Sequence, residues 1–263
     1  MGKEKLNAAF LKVKERGDKA FVPYIMAGDG GLDALEEQLV FLEDAGGATV
    51  VELGIAFSDP VADGPTIQEA GLRALANGVS LRAVLEKLKQ TKSSRHIPIV
   101  LMTYVNPIYA YGVADFAKAC EDAGVDGLII PDMPLEEEGL VTRELKDHDI
   151  ALIRLAALTS TDDRITEIAN RTEGFLYAVT VTGTTGARST FHDRLNEYLD
   201  RLSKQCEVPV LAGFGVSTPE HVKNLTAHCD GVVVGSRIVD LLNKGDHDTI
   251  RELIGAAQIS KVN

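Results

Sequence analysis

The feature that most limits what this chain can fold into is the regular alternation of short apolar runs with helical patterns along its whole length. Eight runs are rich in β-branched and other apolar residues: Ala20–Met26, Thr49–Ile55, Ile97–Thr103, Gly127–Ile130, Ile150–Leu155, Phe175–Val181, Val208–Ala212 and Gly231–Val234. Near-continuous apolar runs are typical of parallel strands covered on both faces. The sequence therefore predicts eight parallel strands separated by helices.

The segments between these runs carry signals for helices and for their ends. Four leucines lie three or four residues apart and predict one buried helix face: Leu32, Leu35, Leu39 and Leu42. Ser80 and Thr218 are placed as N-caps, and Gly46 and Gly124 as C-cap glycines before a strand. The acidic run 136–138 is predicted to be the solvated first turn of a helix.

The number of alternations indicates a closed barrel. A doubly wound sheet usually has fewer strands, whereas eight βα units in roughly 250 residues are typical of a (β/α)8 TIM barrel. No linker or shift in composition divides the 263 residues. We therefore expect one catalytic domain over residues 1–263, with an additional N-terminal helix before the first strand. Active residues are expected at the carboxyl ends of the strands.

Composition excludes several classes of protein. The formal net charge is −12, and no basic stripe suited to nucleic acid is visible. No apolar run reaches the roughly 18 residues of a membrane span, and the charged N-terminus lacks a signal-peptide core. The three cysteines show no C-x-x-C pair and are predicted to be small buried hydrophobes. These features predict a cytoplasmic protein that binds neither membrane nor nucleic acid.

The distribution of reactive residues also excludes several chemistries. No lysine lies in the eight runs, which argues against a Schiff-base mechanism. The six histidines are scattered and lie mostly in helices or before strands, so no metal site is expected. No G-x-G-x-x-G fingerprint follows the first strand, which argues against a nicotinamide cofactor. Acid–base chemistry by carboxylates remains.

Glycines follow three adjacent strands and suggest a phosphate site. They occur in the segments 182–186, 213–215 and 235–236, after runs six, seven and eight. Glycine lets backbone N–H groups approach an anion, and loops after the last two strands commonly bind phosphate in this fold. The alternative is that these glycines simply end strands.

Carboxylates stand out in and after the second run. Glu52 lies within an apolar strand, where an unpaired carboxylate is costly unless it points into the barrel mouth. Burial would raise its pKa and suit it to acid–base work. Asp59 and Asp63 follow in a loop stiffened by two prolines. A structural Glu52 and turn-forming aspartates are the alternative interpretation.

The segment 51–68, VELGIAFSDPVADGPTIQ, closely resembles the signature of the tryptophan synthase alpha chain family. The resemblance covers the whole chain. It includes VPYI with AGD at 22–29, LMTYVNPI at 101–108, PDMP at 131–134 and the three glycine segments. This family splits indole-3-glycerol phosphate into indole and glyceraldehyde 3-phosphate. The resemblance implies no cofactor in this chain and a β-chain partner that carries pyridoxal phosphate, in an α2β2 heterotetramer.

The resemblance also implies roles for individual residues. Glu52 matches the acid–base residue, Asp63 the carboxylate that binds the indole N–H, and Tyr177 a tyrosine near the reacting centre, although Tyr177 is alternatively a plain core aromatic. Thr185 matches a residue that closes over the site and contacts Asp63. The indole slot would be lined by Tyr24, Ile67, Tyr104, Ile129 and Phe214. Phosphate would be bound by Gly186, Gly215, Gly235 and Ser236.

The chain departs from the family pattern at two positions. Ala56 replaces the usual proline, which frees φ at the start of the loop that carries Asp63, and Gly30 stands where proline is common. Three alternative functions stay open. They are a sugar-phosphate isomerase or epimerase, a stand-alone indole-releasing lyase, and a silent α-like chain that only activates a β chain.

Overall fold

A computed structural model describes residues 2–180, 188–213 and 215–259, with the backbone alone for 188–192. The strands are β1 Ala20–Met26, β2 Val51–Gly54, β3 Ile99–Met102, β4 Gly127–Ile129, β5 Ala151–Ala157, β6 Leu176–Val179, β7 Val210–Gly213 and β8 Gly231–Val234. Each strand pairs in parallel with the next, and β8 pairs with β1, which closes the barrel in chain order. The predicted eight-stranded barrel is confirmed.

Helices surround the barrel and connect successive strands. They are α1 Gly2–Glu15, α2 Asp33–Asp44, α3 Pro65–Ala76, α4 Leu81–Gln90, α5 Val105–Tyr111, α6 Val113–Ala123, α7 Gly139–Asp147, α8 Asp162–Arg171, α9 Arg188–Gln205, α10 Pro219–Thr226, α11 Ser236–Lys244 and α12 His247–Gly255. The predicted N-terminal helix is α1. Its Leu6, Phe10 and Val13 are buried in the cluster that fills the barrel, so α1 packs against the amino-terminal end.

Local sequence signals set the helix ends as predicted. The Ser80 hydroxyl accepts a hydrogen bond from the Ala83 N–H at 3.3 Å, and Thr218 caps α10 in the same way. Gly124 ends α6 with a left-handed φ of 71°, a conformation that glycine adopts without strain. Leu35, Leu39 and Leu42 of α2 are buried, because their spacing places them on one helix face.

The acidic run 136–138 differs from its prediction. It precedes α7, and Glu138 is the N-cap position rather than part of a first turn. The Glu138 carboxylate accepts hydrogen bonds from Arg154 Nε at 2.6 Å and from Arg171 Nη1 at 3.0 Å. The prediction of a solvated residue is therefore wrong for Glu138. The guanidinium group of Arg154, which lies on β5, is mostly buried, and a buried charge requires an ion-pair partner such as the Glu138 carboxylate.

None of the helices in the described ranges combines the length and hydropathy needed to cross a bilayer. The same ranges contain no group of three His, Cys, Asp or Glu side chains arranged to hold a metal ion. Cys120 and Cys229 are buried free thiols, as predicted, whereas Cys206 is partly exposed.

Two glycines shape the carboxyl-terminal mouth of the barrel. A Cβ atom at Gly54 would overlap with the ring and hydroxyl of Tyr24, and one at Gly213 would overlap with Tyr177. The missing side chains therefore make room for two tyrosine rings inside the mouth. The register aligns Tyr24 of β1 with Glu52 of β2, so an aromatic ring and a carboxyl group occupy neighbouring positions at the same level.

Candidate active site

A cavity of about 480 Å³ lies at the mouth, where the carboxyl ends of the strands meet. One part of its lining comes from β1, β2, β3, β6 and the segment that follows β2: Tyr24, Glu52, Asp63, Ile67, Met102 and Tyr177. The other part comes from the segments after β7 and β8: Gly215, Val216, Ser217, Gly235, Ser236, Arg237 and Asp240. The cavity therefore combines an aromatic, acidic part with a glycine-rich part.

Glu52 is the most deeply buried acid of the cavity. Its side chain projects from the middle of β2, and the residue is 1 % exposed. Its Oε2 atom has no hydrogen-bond partner. Burial, reinforced by the negative charge of Asp63, raises the pKa of Glu52 to about 8. At neutral pH this carboxyl group is therefore mostly protonated and able to donate a proton.

Asp63 is held at the edge of the cavity by the loop that follows β2. Its Oδ2 atom accepts a hydrogen bond from the Tyr104 hydroxyl at 3.0 Å, and that hydroxyl accepts one from the Ala62 N–H at 3.2 Å. Burial raises the pKa of Asp63, and the hydrogen bond from Tyr104 partly offsets this effect. Asp59 instead forms an exposed hydrogen bond with Ser58, so only one of the two loop aspartates enters the cavity.

Tyr24 and Tyr177 place phenol groups beside the two acids. Burial raises the pKa of both phenols well above the ordinary value, and the charges of Glu52 and Asp63 raise it further. Both groups therefore stay protonated and can donate hydrogen bonds at neutral pH. The sequence predicted Tyr24 as part of the lining of the indole slot. Its phenol hydroxyl makes that lining more polar than an apolar side chain would.

The glycine-rich part is suited to an anion. Gly215 has a φ of +77°, a left-handed conformation that favours glycine. Gly235 is the N-cap of α11, and Ser236 begins that helix. The first N–H groups of a helix have no partner within it, and the helix dipole favours negative charge there. A phosphate group in this part of the cavity would meet backbone donors.

The remaining predicted site residues lie elsewhere or are not described. Tyr104 and Ile129 are buried and are not among the described residues that line the cavity. Tyr104 contacts the site through Asp63, and Ile129 packs in the cluster that fills the barrel. Thr185, Gly186 and Phe214 lie outside the described residues.

Seven residues that line the cavity were not among the site residues predicted from the sequence: Gly64, Met102, Val216, Ser217, Val233, Arg237 and Asp240. Arg237 was recognisable in principle, since it directly follows the Gly235–Ser236 pair after β8. Asp240 lies one helical turn further on, and helical spacing would have placed it on the same side.

A closed barrel with two carboxyl groups in a cavity at the carboxyl ends of its strands is typical of enzymes of the (β/α)8-barrel class. The model of the family described as "Tryptophan synthase alpha chain" matches residues 10–261. The chain belongs to that family.

Individual relatives agree with the family model. The chain is 58% identical over 254 residues to the tryptophan synthase alpha chain of Oceanobacillus iheyensis, covering 97% of each chain. It is 50% identical to that of Bacillus cereus strain G9842 over 258 residues, covering 98% of each. Among solved structures, the alpha chain from Legionella pneumophila subsp. pneumophila superposes with a TM-score of 0.85 at 32% identity, covering 98% of this chain and 97% of that one. A tryptophan synthase chain from M. tuberculosis gives 0.87 at 29% identity, covering 97% and 98%.

Proposed function

We propose that the cavity binds indole-3-glycerol phosphate with its indole ring in the aromatic part and its phosphate against the segments after β7 and β8. As a member of its family, the chain is a lyase of tryptophan biosynthesis that cleaves this substrate into indole and glyceraldehyde 3-phosphate. Residues 1–263 act as one catalytic domain in this proposal, and the enzyme works in the cytoplasm.

The reaction is a retro-aldol cleavage. The indole carbon that bears the glycerol side chain gains a proton, the carbon–carbon bond to that side chain breaks, and the adjacent side-chain hydroxyl loses its proton to leave an aldehyde. Glu52 donates the proton to carbon, and its carboxylate is then placed to accept the hydroxyl proton. Asp63 accepts a hydrogen bond from the indole N–H, where positive charge develops during protonation. Tyr177 lies beside both acids and contacts the reacting centre.

The observation that carries this assignment is the burial of the Glu52 carboxyl group inside the cavity, beside Asp63. A carboxyl group with a pKa of about 8 holds its proton at neutral pH. An ordinary surface glutamate would be ionised and unable to protonate carbon. The less buried Asp63 is the acid better suited to carry the negative charge that a cationic indole needs.

The direct test is to incubate the purified chain with indole-3-glycerol phosphate and measure the release of indole and glyceraldehyde 3-phosphate. We expect both products in equal amounts without added metal or cofactor. A folded chain that releases no indole, either alone or with a cognate β chain, would contradict the assignment and leave the silent α-like chain in its place.

We further propose that a β chain binds at the mouth of the barrel and completes an α2β2 heterotetramer. Four large apolar side chains are exposed on the segments that follow β2 and β3: Val61, Leu72, Leu75 and Tyr109. Exposed apolar side chains such as these are available for burial in a protein–protein contact. The two chains divide the chemistry, since pyridoxal phosphate belongs to the β chain and this chain needs none.

A further inference from the structure

The glycine-rich part of the cavity contains a cation beside its backbone donors. Arg237 is the second residue of α11, directly after Ser236, and it lines the same cavity as Gly215 and Ser217. A phosphate monoester carries a charge between about −1.5 and −2 at neutral pH. The chain as a whole has a net charge of −12, which opposes the approach of such an anion.

Arg237 is a half-buried arginine whose guanidinium group donates no hydrogen bond to another described residue. Its Nε atom is buried without a hydrogen-bond partner. Arg154, by comparison, donates from Nε to Glu138 at 2.6 Å. Arg201 also has an unpaired Nε, but its Nη1 atom donates to Asp162 at 2.7 Å. A half-buried guanidinium group without an acceptor is costly, so a ligand oxygen that accepts a hydrogen bond from the group is favoured.

Two carboxylates lie near Arg237 and could neutralise its charge. Asp240 lies one turn along α11 and lines the same cavity. Asp246 follows α11, and its pKa is lowered mainly by hydrogen bonds from Thr249 and to a smaller extent by Arg237. Within the described part of the chain, neither carboxylate forms an ion pair with Arg237. The guanidinium group is therefore near negative charge but not neutralised by a direct contact.

We propose that Arg237 binds the phosphate group of the substrate through its guanidinium and thereby selects phosphorylated substrates. The inference rests on the proposed function for the identity of the substrate. A guanidinium offers several N–H donors in one plane, and two of them can bind two phosphate oxygens at once. A backbone N–H group donates only one hydrogen bond. Backbone donors after β7 and β8 position the anion, and Arg237 supplies the charge that they lack.

The test compares Arg237→Gln and Arg237→Lys with the matched control Arg251→Gln. Arg251 is an exposed arginine of α12 that pairs with Asp248 and packs over Phe41. Binding of glycerol 3-phosphate and of indole is measured by calorimetry on each folded chain, and KM and kcat are measured with indole-3-glycerol phosphate. Calorimetry needs no activity, so it separates this proposal from the proposed function.

We expect Arg237→Gln to weaken glycerol 3-phosphate binding and to raise KM by about tenfold or more, as for a hydrogen bond to a charged group. Indole affinity should stay unchanged, the loss should lie mainly in KM, and Arg237→Lys should lie between. An unchanged affinity for glycerol 3-phosphate, or an equal loss of affinity for indole, would overturn the proposal. Loss of the effect in an Asp240→Asn background would also overturn it, because Arg237 would then act only by neutralising Asp240.

Discussion

Glu52 and Asp63 carry the same functional group in two different environments. Glu52 lies inside the barrel with an unpaired oxygen, whereas Asp63 lies on a loop and accepts a hydrogen bond from Tyr104. The first environment favours the protonated acid, and the second partly stabilises the carboxylate. This difference supports our proposal that Glu52 is the proton donor and Asp63 the charge-stabilising group.

Removing either acid should abolish most of the activity. We expect Glu52→Gln and Asp63→Asn each to lower kcat/KM by roughly 10²-fold or more, the usual scale for acid–base and charge-stabilising groups. Steady-state release of indole measures this effect. Glu86→Gln, a change at an exposed glutamate of α4, serves as the control and should keep full activity. Near-normal turnover in folded Glu52→Gln would refute the role of Glu52.

The same burial should cost stability. The pKa of Glu52 is raised from 4.5 to about 8 in the folded chain. Between these values the unfolded chain releases this proton and the folded chain keeps it, so stability falls as pH rises through this window. Glu52→Gln carries no ionisable group and should be more stable than the parent at pH 8 by up to a few kcal/mol.

Denaturant unfolding at pH 4.5 and pH 8 measures this difference. The stability gain of Glu52→Gln over the parent should be small at pH 4.5 and largest near pH 8. A gain that is equal at both pH values would show that the pKa of Glu52 is not raised by burial.

At the scale of elements, Gly235 links the two parts of the cavity. It is the N-cap of α11, and a Cβ atom there would lie 3.7 Å from Tyr24 and 3.9 Å from Ile67. A methyl group fits at that distance, whereas a branched side chain would press on both residues and cover the backbone donors. Alanine and valine would occupy the same backbone conformation at this position, so the comparison between them isolates the effect of side-chain size.

Gly235→Ala should therefore be tolerated, and Gly235→Val should raise KM for the phosphorylated substrate by about tenfold or more. The expected cause is a steric block that keeps the phosphate away from the backbone donors. The size of the effect follows because a lost hydrogen bond to a charged group costs about 1.5–3 kcal/mol. Steady-state kinetics of both variants measure the contrast. The idea that this helix start binds phosphate fails if valine and alanine give the same KM.

The loop after β2 shows how one element serves both the site and the surface. Its Asp63 enters the cavity, its Val61 is 80% exposed, and its Ala56 packs against the apolar core. A partner that covers Val61 would therefore contact the same loop that positions Asp63. This arrangement gives a β chain a physical route to influence cleavage.

At the scale of the whole molecule, we expect the isolated chain to be a slow enzyme that a cognate β chain activates. Leu72→Gln should weaken this activation, because Leu72 is 65% exposed on α3 and would lose apolar contact area. The control is Leu11→Gln, at a leucine 56% exposed on α1 near the opposite end of the barrel. Cleavage rates during titration with β chain, together with the mass of the complex by light scattering, measure both effects.

A flat titration without a stable complex would favour the stand-alone lyase. An equal loss of activation in Leu72→Gln and Leu11→Gln would place the interface elsewhere. A complex whose mass differs from two α and two β chains would contradict the heterotetramer while leaving the catalytic assignment intact.

Sequence alone determined the barrel and the identity of its central acid. Parallel strands buried on both faces leave near-continuous apolar runs, and a glutamate inside such a run is conspicuous because its burial is costly. Helix caps at Ser80 and Thr218 were predictable because they depend on residues three positions apart. These features are local, so they can be recognised from residues that are close together in the sequence.

Only the tertiary structure decided which groups face the cavity and which support them. Tyr104 follows its strand like the other candidates, yet its hydroxyl binds Asp63, because the pairing of β3 with β2 brings the residues after β3 beside the loop after β2. Arg237 and Asp240 became visible as cavity residues because closure of the barrel brings β8, and the helix that follows it, beside β1. Which side chains meet depends on register and on closure of the barrel, and both follow from contacts between residues far apart in the sequence.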